Sequence, residues 1–211
     1  MHYEMLVEGQ CELTTLSIIM PNILGEYRVR NTWKIHKHQG IGKIPDNPET
    51  VNAKDRSLLG QLPAKIKAYD KVADPNRVVV VLIDLDGESQ DEMIASLESL
   101  VPDGSSMNIK FCFAIEELES WFMADKDAIL AAYPKANEQI HSTYTQDAIC
   151  GTWEILSRVI GSNATTLPKR DRRVLMEKYE WAKKIAPHMD IESNLSPSFQ
   201  HFKNSLMEFS A

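Results

Sequence analysis

The chain has 211 residues, 43% of them hydrophobic and 25% charged, the make-up of an ordinary globular protein with room for one sizeable core and no indication of disorder. Against 30 acidic side chains stand 23 lysines and arginines, and the formal net charge of −7 argues against a broad basic surface that grips nucleic acid. It leaves room for a nucleic-acid enzyme whose acids hold metal. Cys11, Cys112 and Cys150 lie far apart with no CxxC pair, so neither a disulfide framework nor a zinc site is indicated, and a reducing, cytoplasmic setting is expected. The amino-terminal MHYEMLVEG lacks the basic and apolar regions of a signal peptide, and no apolar run approaches membrane-spanning length, so no membrane partner is expected.

Residues 3–8, YEMLVE, read as a short strand, and Gly9 turns the chain into a helix with Leu13, Leu16, Ile19, Met20 and Ile23 at helical spacing. Glu8 ends that strand and Glu12 falls in the first helical turn, where the helix dipole and capping favour a glutamate without any chemistry. Residues 32–38, TWKIHKH, suit a second strand; His36 and His38 share a face but have no nearby Cys or third His to complete a metal site. QGIGKIPDNPET is a loop by composition. It lacks the GxxxxGK[ST] pattern and preceding strand of a phosphate-binding loop, which leaves Lys43 and Lys54 as ordinary surface lysines or polyanion contacts. From Ser57 to Ala73 apolar residues recur at helical spacing, with Pro63 expected to start or kink the helix.

RVVVVLIDLDG, residues 77–87, is the strongest strand signal. Val78, Val79, Val80, Val81 and Ile83, with no polar alternation, suit a strand covered on both faces in a parallel sheet. Alternation would point Asp84 and Asp86 to one side, with Leu85 opposite and Gly87 breaking the strand. In open α/β sheets ligands sit beyond the carboxyl ends of the strands, and two like charges there call for a cation. The competing reading places both aspartates in a solvated Asp-Gly turn.

Residues 90–101 form a further amphipathic helix, 109–115 a strand, and Glu117–Tyr133 a helix stopped by Pro134. Glu116, Glu117 and Glu119 again follow a strand. One sheet edge thus stands to receive acids from three strands. Beyond Lys135 only helical patterns appear, in TWEILSRVIG, RRVLMEKYEWAKKIAPHM and PSFQHFKNSLMEF. Lys169, Arg170, Arg172 and Arg173, followed by Lys178, Lys183 and Lys184, are the densest basic cluster and the best candidate for touching phosphates, though such clusters are commonly solvated helix faces. The expected fold is α/β: a Rossmann-like, mostly parallel sheet of about four strands flanked by helices over residues 1–134, with a helical extension over 135–211.

Val-Glu-Gly-x-x-Glu at Val7–Glu12 together with Asp-x-Asp-Gly at Asp84–Gly87 resembles the TOPRIM domain of topoisomerases, primases and OLD-type nucleases. The resemblance implies a magnesium site in which Glu8 is the acid beside the transferred phosphate and Asp84 and Asp86 hold metal, with Glu12 at the position of a second acid in OLD-like members. AIEELESWFMAD and Ser196–Phe199 are similar to motifs of an uncharacterised bacterial family of small TOPRIM-like proteins, on whose pattern Glu119, Trp121, Asp125 and Lys169 match. Taken over nearly the whole chain, this implies a nuclease dependent on Mg²⁺ or Mn²⁺, acting on DNA or RNA, with Glu8, Asp84, Asp86 and Lys169 catalytic and Glu8, Glu12, Asp84, Asp86 and Glu119 at the metal. Hard divalent cations prefer oxygen ligands, which suits that chemistry. Kinship also implies a setting beside an ATPase in defence against phage. The alternatives are a non-catalytic TOPRIM-like subunit that docks an ATPase, and a transferase that uses DxD to hold a nucleotide diphosphate, which leaves the Val-Glu-Gly-x-x-Glu element without a role.

Overall fold

The computed structural model describes residues 1–49, 52, 54–169 and 171–210. Its centre is a sheet in the order β2-β1-β3-β4, with β1 His2–Val7, β2 Thr32–Lys37, β3 Arg77–Asp84 and β4 Asn108–Ala114. Every pairing is parallel: Met5 lies opposite Ile35 on one side and Val80 on the other, and Val81 lies opposite Phe111. Parallel neighbours need long crossovers, which α1 Gln10–Leu24, α2 Leu58–Lys71 and α3 Gln90–Glu98 supply. The α/β architecture expected from the sequence, a four-stranded parallel sheet flanked by helices, is present. Among the described residues no helix is long and apolar enough to cross a membrane.

The valine run of β3 is buried on both faces, as its lack of alternation requires. Val78, Val80 and Leu82 join Tyr3, Met5 and Val7 in one apolar cluster; Val79, Val81 and Ile83 join Leu6, the α2 residues Leu58, Leu62 and Ile66, and Leu97 of α3 in another. Each such side chain contributes about 1.5–3 kcal/mol on leaving water. The helix α2 begins at Leu58, with the Ser57 hydroxyl accepting from Gly60 N, so Pro63 sits inside it rather than at its start.

The stretch expected to be one helix from Glu117 to Tyr133 is two, α4 Glu119–Met123 and α5 Lys126–Ala132. The break is made by Asp125, whose carboxylate accepts from Ala128 N at 2.9 Å to cap α5 and from Asp190 N at 2.7 Å. After the short α6 Glu138–His141 come α7 Thr152–Val159, α8 Arg172–Ile185 and α9 Pro197–Met207. Trp153 and Leu156 of α7, Val174, Trp181 and Ile185 of α8, and Phe199, Phe202 and Leu206 of α9 enter the first cluster. Residues on both sides of position 134 therefore share one core. The Ser-Pro-Ser-Phe stretch starts α9: Ser196 caps it, Pro197 occupies the first helical position, and the Trp121 indole donates to Ser198 Oγ at 3.1 Å. This contact gives Trp121 and Ser198 a packing role.

Candidate functional site

Because all four strands run the same way, β1, β3 and β4 deliver their carboxyl ends to one edge, and β1 lies next to β3. The end of β1 is held from the far side by the loop after β2, with His38 N donating to Val7 O at 3.0 Å and Gly40 N to Glu8 O at 3.1 Å. Glu8 then turns its carboxylate across to β3, where Oε1 accepts from Asp84 N at 2.9 Å. Two residues 76 positions apart thus meet at the central strand's end. Asp84 is the last residue of β3, and its buried Oδ1 has no hydrogen-bond partner among the described residues.

Asp86 does not continue the strand alternation expected for the DxD pair. Leu85 N and Asp86 N donate to Ala114 O and Glu116 O, and Asp86 takes φ +48° in a turn, a left-handed conformation that aspartate tolerates better than most residues. The left-handed residue is therefore Asp86, not Gly87. One aspartate is thus tucked against the sheet edge, while the other, with 54% of its side chain exposed, receives Lys169 Nζ at 3.0 Å. An exposed pair of this kind contributes about 0–1 kcal/mol. Glu12 lies in the first turn of α1, buried, with Oε2 accepting from Gly9 N at 2.8 Å, so the capping role weighed from sequence is real and is combined with proximity to the acids.

The acids after β4 behave differently from one another. Glu116 accepts from Cys150 N, Gly151 N, Thr152 N and Thr152 Oγ1 and anchors the start of α7. Glu117, buried, accepts from Trp153 N at 3.0 Å through Oε1 and from Lys178 Nζ at 2.7 Å through Oε2, with Lys169 Nζ 3.3 Å from the same Oε2. Glu119, also buried, has Oε2 3.2 Å from Lys178 Nζ. Sequence reasoning put Glu119 among the metal ligands and left out Glu117 and Lys178. The missed signal was a lysine in the apolar stripe of a helix: Val174, Lys178, Trp181 and Ile185 share the inward face of α8.

The electrostatics follow from this crowding. Burial, then the Glu12 carboxylate, pushes Glu8 up to about 8 despite the stabilising Asp84 N–H. Burial, followed by Glu12, Glu8 and Glu119, holds Asp84 well above the usual carboxylate range, and burial also raises Glu12. Glu119 is pushed up to about 7 by burial, against the pull of Lys178. Burial works against the Lys178 ammonium, but Glu119 and Glu117 outweigh it and keep it charged. Glu116 goes the other way: burial would raise it, but the Thr152 hydroxyl and the three backbone N–H groups carry it below its ordinary value.

Among the described residues no three His, Cys, Asp or Glu side chains stand as a ready-made metal cage. The acids meet in pairs, with lysines or backbone donors between them. Their chemistry nevertheless fits a hard divalent cation: the donors are carboxylate oxygens, one is buried without a partner, and burial together with mutual repulsion destabilises their charged forms. His36 is engaged elsewhere, with Nε2 2.5 Å from Glu4 Oε2, and the His38 ring lies 2.8 Å from Val7 O. The basic cluster does not act as one surface. Lys169 reaches the acids, Arg173 pairs with Asp171 at 2.9 Å, Arg172 is exposed, Lys178 points into the core, and Arg170 lies outside the described residues.

No curated protein matches the chain. Among solved structures, the C-terminal region of the Xanthomonas campestris pv. campestris OLD protein is similar at 16% identity, with 98% of this chain and 90% of that one covered and a TM-score of 0.42. A family model matches residues 7–207, which include every acid and both lysines of the site, and the chain belongs to that family, described as Domain of unknown function (DUF4276).

Proposed function

We propose that the protein is a divalent-metal-dependent nuclease that hydrolyses phosphodiester bonds of DNA or RNA at the carboxyl edge of its sheet. The observation that carries this reading is the Asp84 carboxylate, with a buried oxygen that has no partner among the described residues, set among acids that also resist ionisation. Glu8, Glu12, Asp84 and Asp86 are the groups that would hold Mg²⁺ or Mn²⁺. Bound there, the ion would neutralise charge on the phosphate and activate water. Glu8 spends one oxygen on the Asp84 N–H; among the described residues its other oxygen has no partner and is left to take a proton or face an ion. Lys169, half-exposed at the mouth of the site, is placed to meet a phosphate oxygen on releasing Asp86.

The test is cleavage of single-stranded DNA, duplex DNA and RNA with Mg²⁺ or Mn²⁺. Wild type cuts at least one of these and Asp84→Ala, folded by circular dichroism, cuts none; full activity in that variant would falsify the assignment. A second reading, a non-catalytic subunit that docks an ATPase, draws on the two lysines already paired with the acids. It requires that no divalent ion bind and that a stable ATPase complex survive replacement of Glu8, Asp84 and Asp86.

A further inference from the structure

The site's carboxylates divide into two groups that differ in how their charge is met. Glu117 and Glu119 share the Lys178 ammonium at 2.7 and 3.2 Å, and the second oxygen of Glu117 is taken by Trp153 N. Lys178 has no freedom to withdraw. It rises from α8 between Val174 and Trp181, both fully buried, and its own side chain is only 11% exposed. The Trp153 ring lies 5.7 Å from its Nζ and closes it in further. Lys169 differs: its side chain is 48% exposed, and from a loop it reaches Asp86 at 3.0 Å and Glu117 at 3.3 Å, so on leaving it gives up both while Lys178 still holds Glu117. Among the described residues no lysine or arginine is ion-paired with Glu8, Glu12 or Asp84; Lys178 acts on Glu12 and Asp84 only from a distance, and the direct donors are the backbone N–H groups of Asp84 to Glu8 and of Gly9 to Glu12.

We infer that Lys178 is a built-in cation that permanently serves Glu117 and Glu119, so that the acid cluster takes a single exchangeable divalent ion, at Glu8 and Asp84. A second ion beside Glu119 would have to approach an ammonium that cannot move aside, and like charges in a buried site repel with little screening. Lys178 is thus a positioning residue: its one charge is shared between two acids and confines the exchangeable ion to the β1–β3 side. This rests on the metal-binding reading given above.

Electron paramagnetic resonance of free Mn²⁺, titrated into the full chain at pH 8, counts the ions bound. Wild type takes one per chain, and Glu119→Gln still takes one, because Glu119 is not a ligand of the exchangeable ion. Lys178→Met, which removes the charge and keeps the stem, takes two where it folds. Two ions on wild type, loss of the ion in Glu119→Gln, or a folded Lys178→Met that still takes one each overturn the inference while leaving the metal-binding reading standing. If Lys178→Met does not fold, the wild-type and Glu119→Gln counts decide alone. No ion on wild type sinks both.

Discussion

Asp84 stands at the end of β3 and Glu116 just past the end of the neighbouring β4, and their surroundings are opposite. Glu116 collects three backbone N–H groups and a hydroxyl, which lower its pKa and leave nothing over for a ligand. Among the described residues Asp84 keeps a buried oxygen with no donor, and burial, then the acids around it, raises its pKa. A carboxylate saturated by the chain's own donors is an anchor. One left unsatisfied at a ligand-binding edge is where an external cation has something to gain.

Replacing the two residues should separate those roles. Asp84→Asn is expected to lower cleavage by about 10³-fold or more, equivalent to about 4 kcal/mol of transition-state stabilisation, without destabilising the metal-free fold at pH 8. Single-turnover cleavage and thermal melts measure the two effects. Lys178→Met, which strands two buried acids, should cost about 3–5 kcal/mol in urea unfolding without metal, and added Mn²⁺ should recover part of it. Glu116→Gln removes charge-assisted bonds at the start of α7 and should cost about 1.5–3 kcal/mol of stability, with the ion affinity of the remaining protein unchanged by calorimetry.

Proton linkage gives a smaller but signed effect. Glu8 at about 8 and Glu119 at about 7 both lie above the ordinary 4.5, so between about pH 5 and 8 the folded chain holds protons that the unfolded chain has released. Their contribution therefore favours the metal-free fold at the acid end of that window and is lost as pH rises through it. Mg²⁺ competes with the Glu8 proton, so the stabilisation it confers should grow from pH 6 to pH 8.5. A magnesium shift that shrinks over that range in thermal melts runs against this linkage.

Much of the fold could be read from residue patterns because the signals are local: the valine run of β3, the glycine turn after β1, and the helical spacing in α1 and α2. Glu8 and Asp84 were legible for the same reason, since Asp84 closes β3, Glu8 directly follows β1, and parallel strands share an edge. Other features depend on contacts that spacing does not encode. Asp125 breaks a long helical pattern because Asp190, far along the chain, donates to its second oxygen. Asp86 leaves the strand geometry because its N–H pairs with Glu116 O. Lys178 resembled its solvated neighbours Lys183 and Lys184 until α8 was seen to turn position 178 inward with Val174 and Trp181. That inward lysine was visible as a break in the apolar stripe, but its partners Glu117 and Glu119 were not.

The most direct measurement is the Mg²⁺-induced rise in melting temperature at pH 8 for wild type, Asp84→Asn and Glu116→Gln, each compared with its own EDTA-treated sample. The expected result is a rise in wild type and in Glu116→Gln, from a lower starting point in the latter, and none in Asp84→Asn. Equal rises in all three, or no rise in wild type, would contradict the claim that the unsatisfied carboxylate at the end of β3 is where the cation binds.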